Sequence, residues 1–436
     1  MDVYNLVSLA GIFILAGFAW LLSANRKVIN WRVVFWGIGL QFLFAFFIFV
    51  VPVGTKFFLF VNNLVVKILD SATAGTRFVF GRLALPTGTT NEAGETSLGS
   101  FLAFQGLPTI IFFAALIGAL YYLRVMPFFV RLFARIFTRL MRVSGAESLC
   151  VSSNIFVGVE SSLIVKPHLA EMTRSELATI LTAGMATIAS TVLAIYVFFL
   201  QNVIPTIAGH LVSASFLSAP AALVMAKLLM PETEEPKTLG MDIRPYYEKE
   251  DNLIMAIING AGSGLRLLGG IISLLLAFLG LLALLDLVLG WFGGYLNSWF
   301  GWHIAWSFKA LLGYIFYPFT LILGVPPADA FSIAKVIGER AVATEVASYQ
   351  DLAQLLAQNV LLYPRSGLIA SYALCGFAHV ASLAIFVGGI GALAPSRYKD
   401  LSRLGFRALL AATLACLMTA AVAGTFFTGS SIMLGK

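Results

Sequence analysis

Asn154-Ile155-Phe156-Val157-Gly158-Val159-Glu160-Ser161-Ser162 is an apolar stretch interrupted by an amide, a glycine and a carboxylate, inside a chain that otherwise suits hydrocarbon. Far downstream, Val342-Ala343-Thr344-Glu345-Val346-Ala347-Ser348-Tyr349 has the same character. An ionised side chain at membrane depth costs at least ~2.5–3.5 kcal/mol. It persists where it lines a polar cavity or meets a ligand. Two such carboxylates, one in each half of the chain, point to a polar site built from two related halves.

The surroundings identify the solvent. Of 436 residues, 59% are hydrophobic and 11% are charged, and the mean hydropathy is +0.92. Soluble domains carry about 25% charged residues. No soluble core hides so much apolar surface, so the chain reads as an all-α polytopic membrane protein in a lipid bilayer. The net charge of +7 does not indicate nucleic acid, because the basic residues flank apolar runs, as in Arg26-Lys27, Arg131 to Arg142 and Arg397 to Arg407. That is the bias of cytoplasmic loops. Cys150, Cys375 and Cys416 lie in apolar stretches without paired spacing, which argues against a disulfide framework or a zinc site. The first apolar run, Leu6 to Leu22, has no positive charge before it and Asn25-Arg26-Lys27 after it. A cleavable signal has the reverse order, so this run is read as a retained first span entering from outside.

Runs of ~20 apolar residues, enough to cross a bilayer, fall at 5–23, 32–52, 107–124, 175–201, 208–230, 268–292, 367–392 and 407–428. Eight spans put both termini on one side, the outer one. The basic segments 124–142 and 397–407 then lie inside, and the turns near 202–209 and 293–307, free of Lys and Arg, lie outside. Segment 53–98, placed outside, carries Lys56, Lys67, Arg77 and Arg82. Its Phe57 to Phe80 part reads as an amphipathic interfacial helix, as does 126–142.

Two regions are apolar but broken: 147–169, by Asn154, Gly158, Glu160, Lys166 and Pro167, and 308–349, by Gly324-Val325-Pro326-Pro327, Asp329, Lys335, Glu339 and Glu345. Irregular backbone at membrane depth survives only against protein or a water-filled cavity, so both are expected to be re-entrant hairpins. Each is followed by a span with a small, polar centre, Ala186 to Thr191 and Gly376 to Ser382. The first hairpin enters from the cytoplasm and the second from outside, an inverted repeat meeting at the midplane. The polar run Pro231 to Asp251 separates the halves. The expected organisation is scaffold spans 1–3 with interfacial helices (1–146), a first transport half (147–230), a linker with an interfacial helix and scaffold span 6 (231–296), and a second transport half (297–436). Secondary transporters are built this way.

The residues also resemble the concentrative nucleoside transporters, over nearly the whole chain. The specific blocks are Gly75-Thr76-Arg77-Phe78-Val79-Phe80-Gly81, Asn154 to Gly158, Leu229-Met230-Pro231-Glu232-Thr233, Ala373-Leu374-Cys375-Gly376-Phe377-Ala378, and Gly388 to Pro395. The resemblance implies a homotrimer in a bacterial inner (cytoplasmic) membrane. In each protomer a scaffold would hold a mobile transport domain that carries nucleosides inward with a cation. Glu160 matches the acid on the nucleobase side, with Gly158 and Val159 beside it. Glu345 matches the ribose-binding acid. Ser382, Phe377 and His379 fall in the ribose-side block, and Val192 is the apolar base contact. Asn154, the carbonyl of Val157, Thr187 and the carbonyl of Ile188 match the sodium ligands. Sodium is a hard ion suited to oxygen, and broken helices leave carbonyls free. No other cofactor is implied.

The departures bear on substrate rather than ion. The family's Gly-Gln-Thr/Ser-Glu is Gly158-Val159-Glu160 here, its Asn-Glu-Phe is Thr344-Glu345-Val346, and its Gly-Phe-Ala-Asn is Gly376-Phe377-Ala378-His379. With the base-reading glutamine missing, Glu160 and Val192 are left to read the base. That predicts guanosine or related purine nucleosides over uridine. A proton-coupled symporter, or one for another small polar solute on the same fold, is the alternative. As structural glutamates, Glu160 and Glu345 would have Lys166 and Arg340 as partners, while Glu147 and Glu339 read as structural or gating residues. His168, His210 and His303 read as interfacial. No Asp-rich metal motif or His-Glu-x-x-His is present, which sets aside an intramembrane enzyme.

Overall fold

The computed structural model describes residues 2–91, 94–247 and 250–428, the side chain of Val159 excepted. It is helical throughout, and among the described residues the only extended pairings are two isolated bridges. Helices α1 (Val3–Leu21) and α2 (Trp31–Phe49) are followed by α3 (Pro52–Phe80), the short α4 (Leu102–Gln105), α5 (Thr109–Tyr122) and the amphipathic α6 (Val125–Met141).

The first hairpin consists of α7 (Gly145–Asn154) and a 3-10 arm (Val159–Glu171) containing Pro167. A 3-10 run longer than three or four residues is uncommon, so this arm is less regular than the other elements. At the base of α7, Ser144 and Glu147 form a capping box, and the buried Glu147 lies 2.8 Å from Lys227. Glu147 is therefore structural. The next span is split into α8 (Arg174–Ala186) and α9 (Ser190–Leu200), and α10 (Ile207–Leu229) completes the first half.

After the linker, α11 (Leu253–Phe300) runs 48 residues. It packs chiefly on α5, close enough that a Cβ on Gly118 or Gly260 would stand 2.6 Å from a backbone oxygen of the facing helix. Small residues permit such approach in membranes.

The second half repeats the order of the first: α12 (Phe308–Ile322), hairpin arms α13 (Pro327–Val342) and α14 (Glu345–Ala357), a split span α15 (Pro364–Ala373) and α16 (Val380–Leu393), then α17 (Tyr398–Phe426). Each hairpin reaches across to the other half, α14 packing on α9 and α16 on the 3-10 arm.

Among the described residues, eight helical segments are long and apolar enough to span. Seven coincide with the expected runs. The run expected at 367–392 is broken between Ala373 and Val380, whereas Pro52–Ala84 also qualifies by length and composition. Close packing accompanies the break: a Cβ on Gly376 would lie 2.6 Å from Cys416 Sγ and 2.9 Å from the Ala186 carbonyl. The expected hairpin 308–349 resolves into two parts. Gly324, at φ +81°, and Pro327, at the start of α13, end α12 and begin the true hairpin.

Candidate functional site

The two split spans and the two hairpin tips bring the expected residues toward one another. On the ion side, Asn154 is fully buried at the end of α7. Its Nδ2 donates to the Cys150 carbonyl at 3.1 Å and its Oδ1 accepts from Ser161 Oγ at 3.0 Å. This network fixes which way the amide faces and turns its oxygen toward the hairpin tip. The tip is tied to the α8–α9 break by Ser190 N–H donating to the Phe156 carbonyl at 3.1 Å. Thr187, in that break, donates its hydroxyl to Ala183 O at 2.9 Å and keeps acceptor capacity. Among the described residues the carbonyls of Val157 and Ile188 accept no backbone hydrogen bond. The set is neutral and made of oxygen, which suits a hard monovalent cation.

On the other side, Glu345 is buried in the first turn of α14, where the positive end of the helix dipole favours a carboxylate. Tyr196 Oη donates to its Oε1 at 2.7 Å. His379 Nε2 stands 2.9 Å from Oε2 but off a hydrogen-bonding line, since Oε2 receives no hydrogen bond. The other ring nitrogen, Nδ1, accepts from Ser382 N–H at 3.1 Å, making His379 the N-cap of α16. With Nδ1 accepting, a neutral ring carries its proton on Nε2, facing Glu345. Ser382 donates its hydroxyl to the carbonyls of His379 and Phe377 within the same turn. Phe377 is half-buried, its ring 6.4 Å from that of His379.

Val192 is fully buried on α9. One helical turn on, Tyr196 shares its face and stacks on Tyr349 with centroids 4.3 Å apart. Neither tyrosine was singled out by sequence reasoning, yet the i, i+4 spacing from Val192 was a signal for Tyr196.

Glu160 is exposed, beside Gly158 at the start of the 3-10 arm and within electrostatic reach of Tyr121 on α5. The side chain of Val159 lies outside the described residues. Arg340 is not the partner of Glu345: its Nη1 donates to the Ala373 carbonyl instead. His210 is buried rather than interfacial, within 3.1 Å of the Tyr372 hydroxyl.

Known proteins share this fold. Family models described as Na+ dependent nucleoside transporter N-terminus, nucleoside recognition gate, and Na+ dependent nucleoside transporter C-terminus match residues 10–83, 103–203 and 210–424. An uncharacterized transporter of Haemophilus influenzae is 36% identical over 428 residues, 97% of both chains. Solute carrier family 28 member 3 of Mus musculus is 39% identical over 434 residues, but the chain spans only 58% of its length. The structure of CNTnw in an inward-facing substrate-bound state has a TM-score of 0.85 at 33% identity, over 97% of this chain and 98% of that one. A CNTnw variant in an outward-facing state gives 0.86 over 98% of both. These relatives are transporters, not enzymes. Alike in sequence and in helix order over nearly its whole length, the chain belongs to the Na+ dependent, concentrative nucleoside transporter family.

Proposed function

We propose that the protein is a sodium-coupled nucleoside symporter working by alternating access. One observation carries the reading: a buried carboxylate, Glu345, has one oxygen held by Tyr196 and the other without a hydrogen bond. That second oxygen, 2.9 Å from His379 Nε2, keeps lone-pair capacity to accept from a ribose hydroxyl. Glu160, Gly158, Val159 and Val192 form the nucleobase side, and Phe377, His379 and Ser382 complete the ribose side. Sodium binds Asn154, Thr187 and the carbonyls of Val157 and Ile188, drawing the hairpin tip against the α8–α9 break. This orders Gly158 to Ser161 and so readies Glu160 for the base. A membrane potential contributes ~2.3 kcal/mol per charge per 100 mV to inward movement. The hairpins and split spans move together against a scaffold whose core is the α5–α11 pair.

A homotrimer in a bacterial inner membrane, with both termini outside, completes the proposal. The apolar length of α11, almost unburied within one protomer, supports packing between copies. Purine preference follows from Glu160 reading the base without a glutamine neighbour.

Proton coupling is the second reading, favoured by His379 lying 2.9 Å from Glu345. Proteoliposomes separate the two. Replacing sodium with choline at fixed pH abolishes concentrative uptake under sodium coupling, whereas uptake that persists and follows a pH gradient refutes it.

A further inference from the structure

Arg340 is fully buried in the last turn of α13, the first arm of the second hairpin. Its Nη1 donates to the carbonyl of Ala373, the final residue of α15. Among the described residues no carboxylate lies within ion-pair distance, and Nε and Nη2 have no hydrogen-bond partner. The guanidinium lies beside Cys416, whose thiol donates to the Ala186 carbonyl, the last residue of α8, and to the Cys375 carbonyl, both at 3.6 Å. The C-termini of α8, α13 and α15 therefore converge around one unpaired positive charge.

The first half has the matching geometry. Asn154 stands at the end of the first arm of its hairpin, against the break that follows α8. A buried guanidinium without a carboxylate is expensive, but each helix C-terminus carries about half a negative charge. Half-helix C-termini and unwound carbonyls are where transporters hold cations. A guanidinium on a side chain is covalently part of the protein, so this cation is never released.

We propose that the Arg340 guanidinium is a tethered cation, filling in the second repeat the place that sodium fills in the first. This rests on the sodium-coupled reading above. The second half then needs no mobile ion, and one sodium moves per nucleoside. Removing the charge while keeping the polar side chain opens a second site for a monovalent cation.

The test is the sodium dependence of labelled guanosine and labelled uridine uptake in proteoliposomes. Wild type and Arg340→Lys should give a Hill slope of about one, and Arg340→Gln should move toward two, since the slope is limited by the number of sites. An unchanged slope in Arg340→Gln overturns the proposal. So does an Arg340→Gln protein that is folded by size exclusion and thermal melting yet takes up no nucleoside at any sodium concentration. If Arg340→Gln does not fold, the wild-type slope decides, a value near two being fatal. Sodium-independent wild-type uptake sinks the symporter reading itself, whereas a sodium-dependent slope of two sinks only the tethered cation.

Discussion

Tyr196 donates to Glu345 Oε1 across 2.7 Å, joining the split span of the first half to the hairpin of the second. The tyrosine ring is itself held by stacking on Tyr349, whose hydroxyl donates to the Ser371 carbonyl at 2.7 Å. The carboxylate is thus aimed by a chain of fixed groups that starts on α15, passes through α14 and ends on α9. Its orientation is set before any substrate arrives.

Tyr196→Phe keeps the ring and its stacking but removes the donor. Hydrogen bonds to charged groups are worth roughly 1.5–3 kcal/mol, so nucleoside affinity should fall at least about tenfold. Sodium dependence should stay as in wild type, because Tyr196 is not among the proposed ion ligands. Competition binding checks this, and unchanged affinity would show that Glu345 needs no such support.

Glu345→Ala should eliminate nucleoside binding, because the proposed charged acceptor for the ribose is lost. Glu345→Gln should bind measurably, since the amide keeps one acceptor oxygen while its NH2 faces the Tyr196 hydroxyl, whose oxygen can accept. Isothermal titration of both variants reads the difference. Normal binding by Glu345→Ala removes the second half-site from the mechanism.

The broken apolar runs made the architecture legible: the charges and glycines at 147–169 and 308–349 marked irregular backbone at membrane depth, and the hairpins stand at 145–171 and, shifted toward the C-terminus, at 327–357. The break in 367–392 was less legible because hydropathy does not register it. Gly376 and His379 lie in a stretch that stays apolar on average, and the close approach of Cys416 and Ala186 comes from distant sequence. Glu345 and His379 were visible as polar residues out of place. Tyr196 and Tyr349 were not, because an aromatic on an apolar helix looks like core until its hydroxyl partner is known. Arg340 was matched to Glu345, five residues on, and only the fold takes it to the end of α15.

Arg365 sits at the start of α15 and donates to Asn5 Oδ1, Ser8 Oγ and the carbonyls of Tyr4, Gly324 and Gly424 at 2.6–2.9 Å. It fastens α1 to α15, to α17 and to the turn after α12. Arg365→Met leaves buried carbonyls unpaired, and each such group costs about 1–3 kcal/mol. The thermal midpoint in detergent should drop by several degrees at least, with sodium dependence and nucleoside affinity of the folded fraction close to wild type. A midpoint that does not move would mean that α1 is held by apolar packing alone.

Asn154→Leu removes the amide oxygen proposed as a sodium ligand while nearly preserving volume. It also leaves Ser161 without its acceptor. Sodium should then no longer enhance nucleoside binding, while oligomeric state by size exclusion stays unchanged. Retention of a wild-type sodium response would move the ion site elsewhere.

In the proposed site, specificity is assigned to Glu160, exposed at the hairpin tip with no glutamine before it. An ionised carboxylate only accepts hydrogen bonds. Guanine N1–H and its 2-amino group offer two adjacent donors to such a group, whereas uracil offers one donor between two carbonyl acceptors. Guanosine and inosine should therefore compete against a labelled nucleoside better than uridine or cytidine. Glu160→Gln should narrow the preference, because an amide presents one donor and one acceptor and suits uracil as well as guanine. Stronger competition by pyrimidine nucleosides in wild type would overturn the assignment of Glu160 as the base reader, and a preference untouched by Glu160→Gln would move base selection to the apolar contact at Val192.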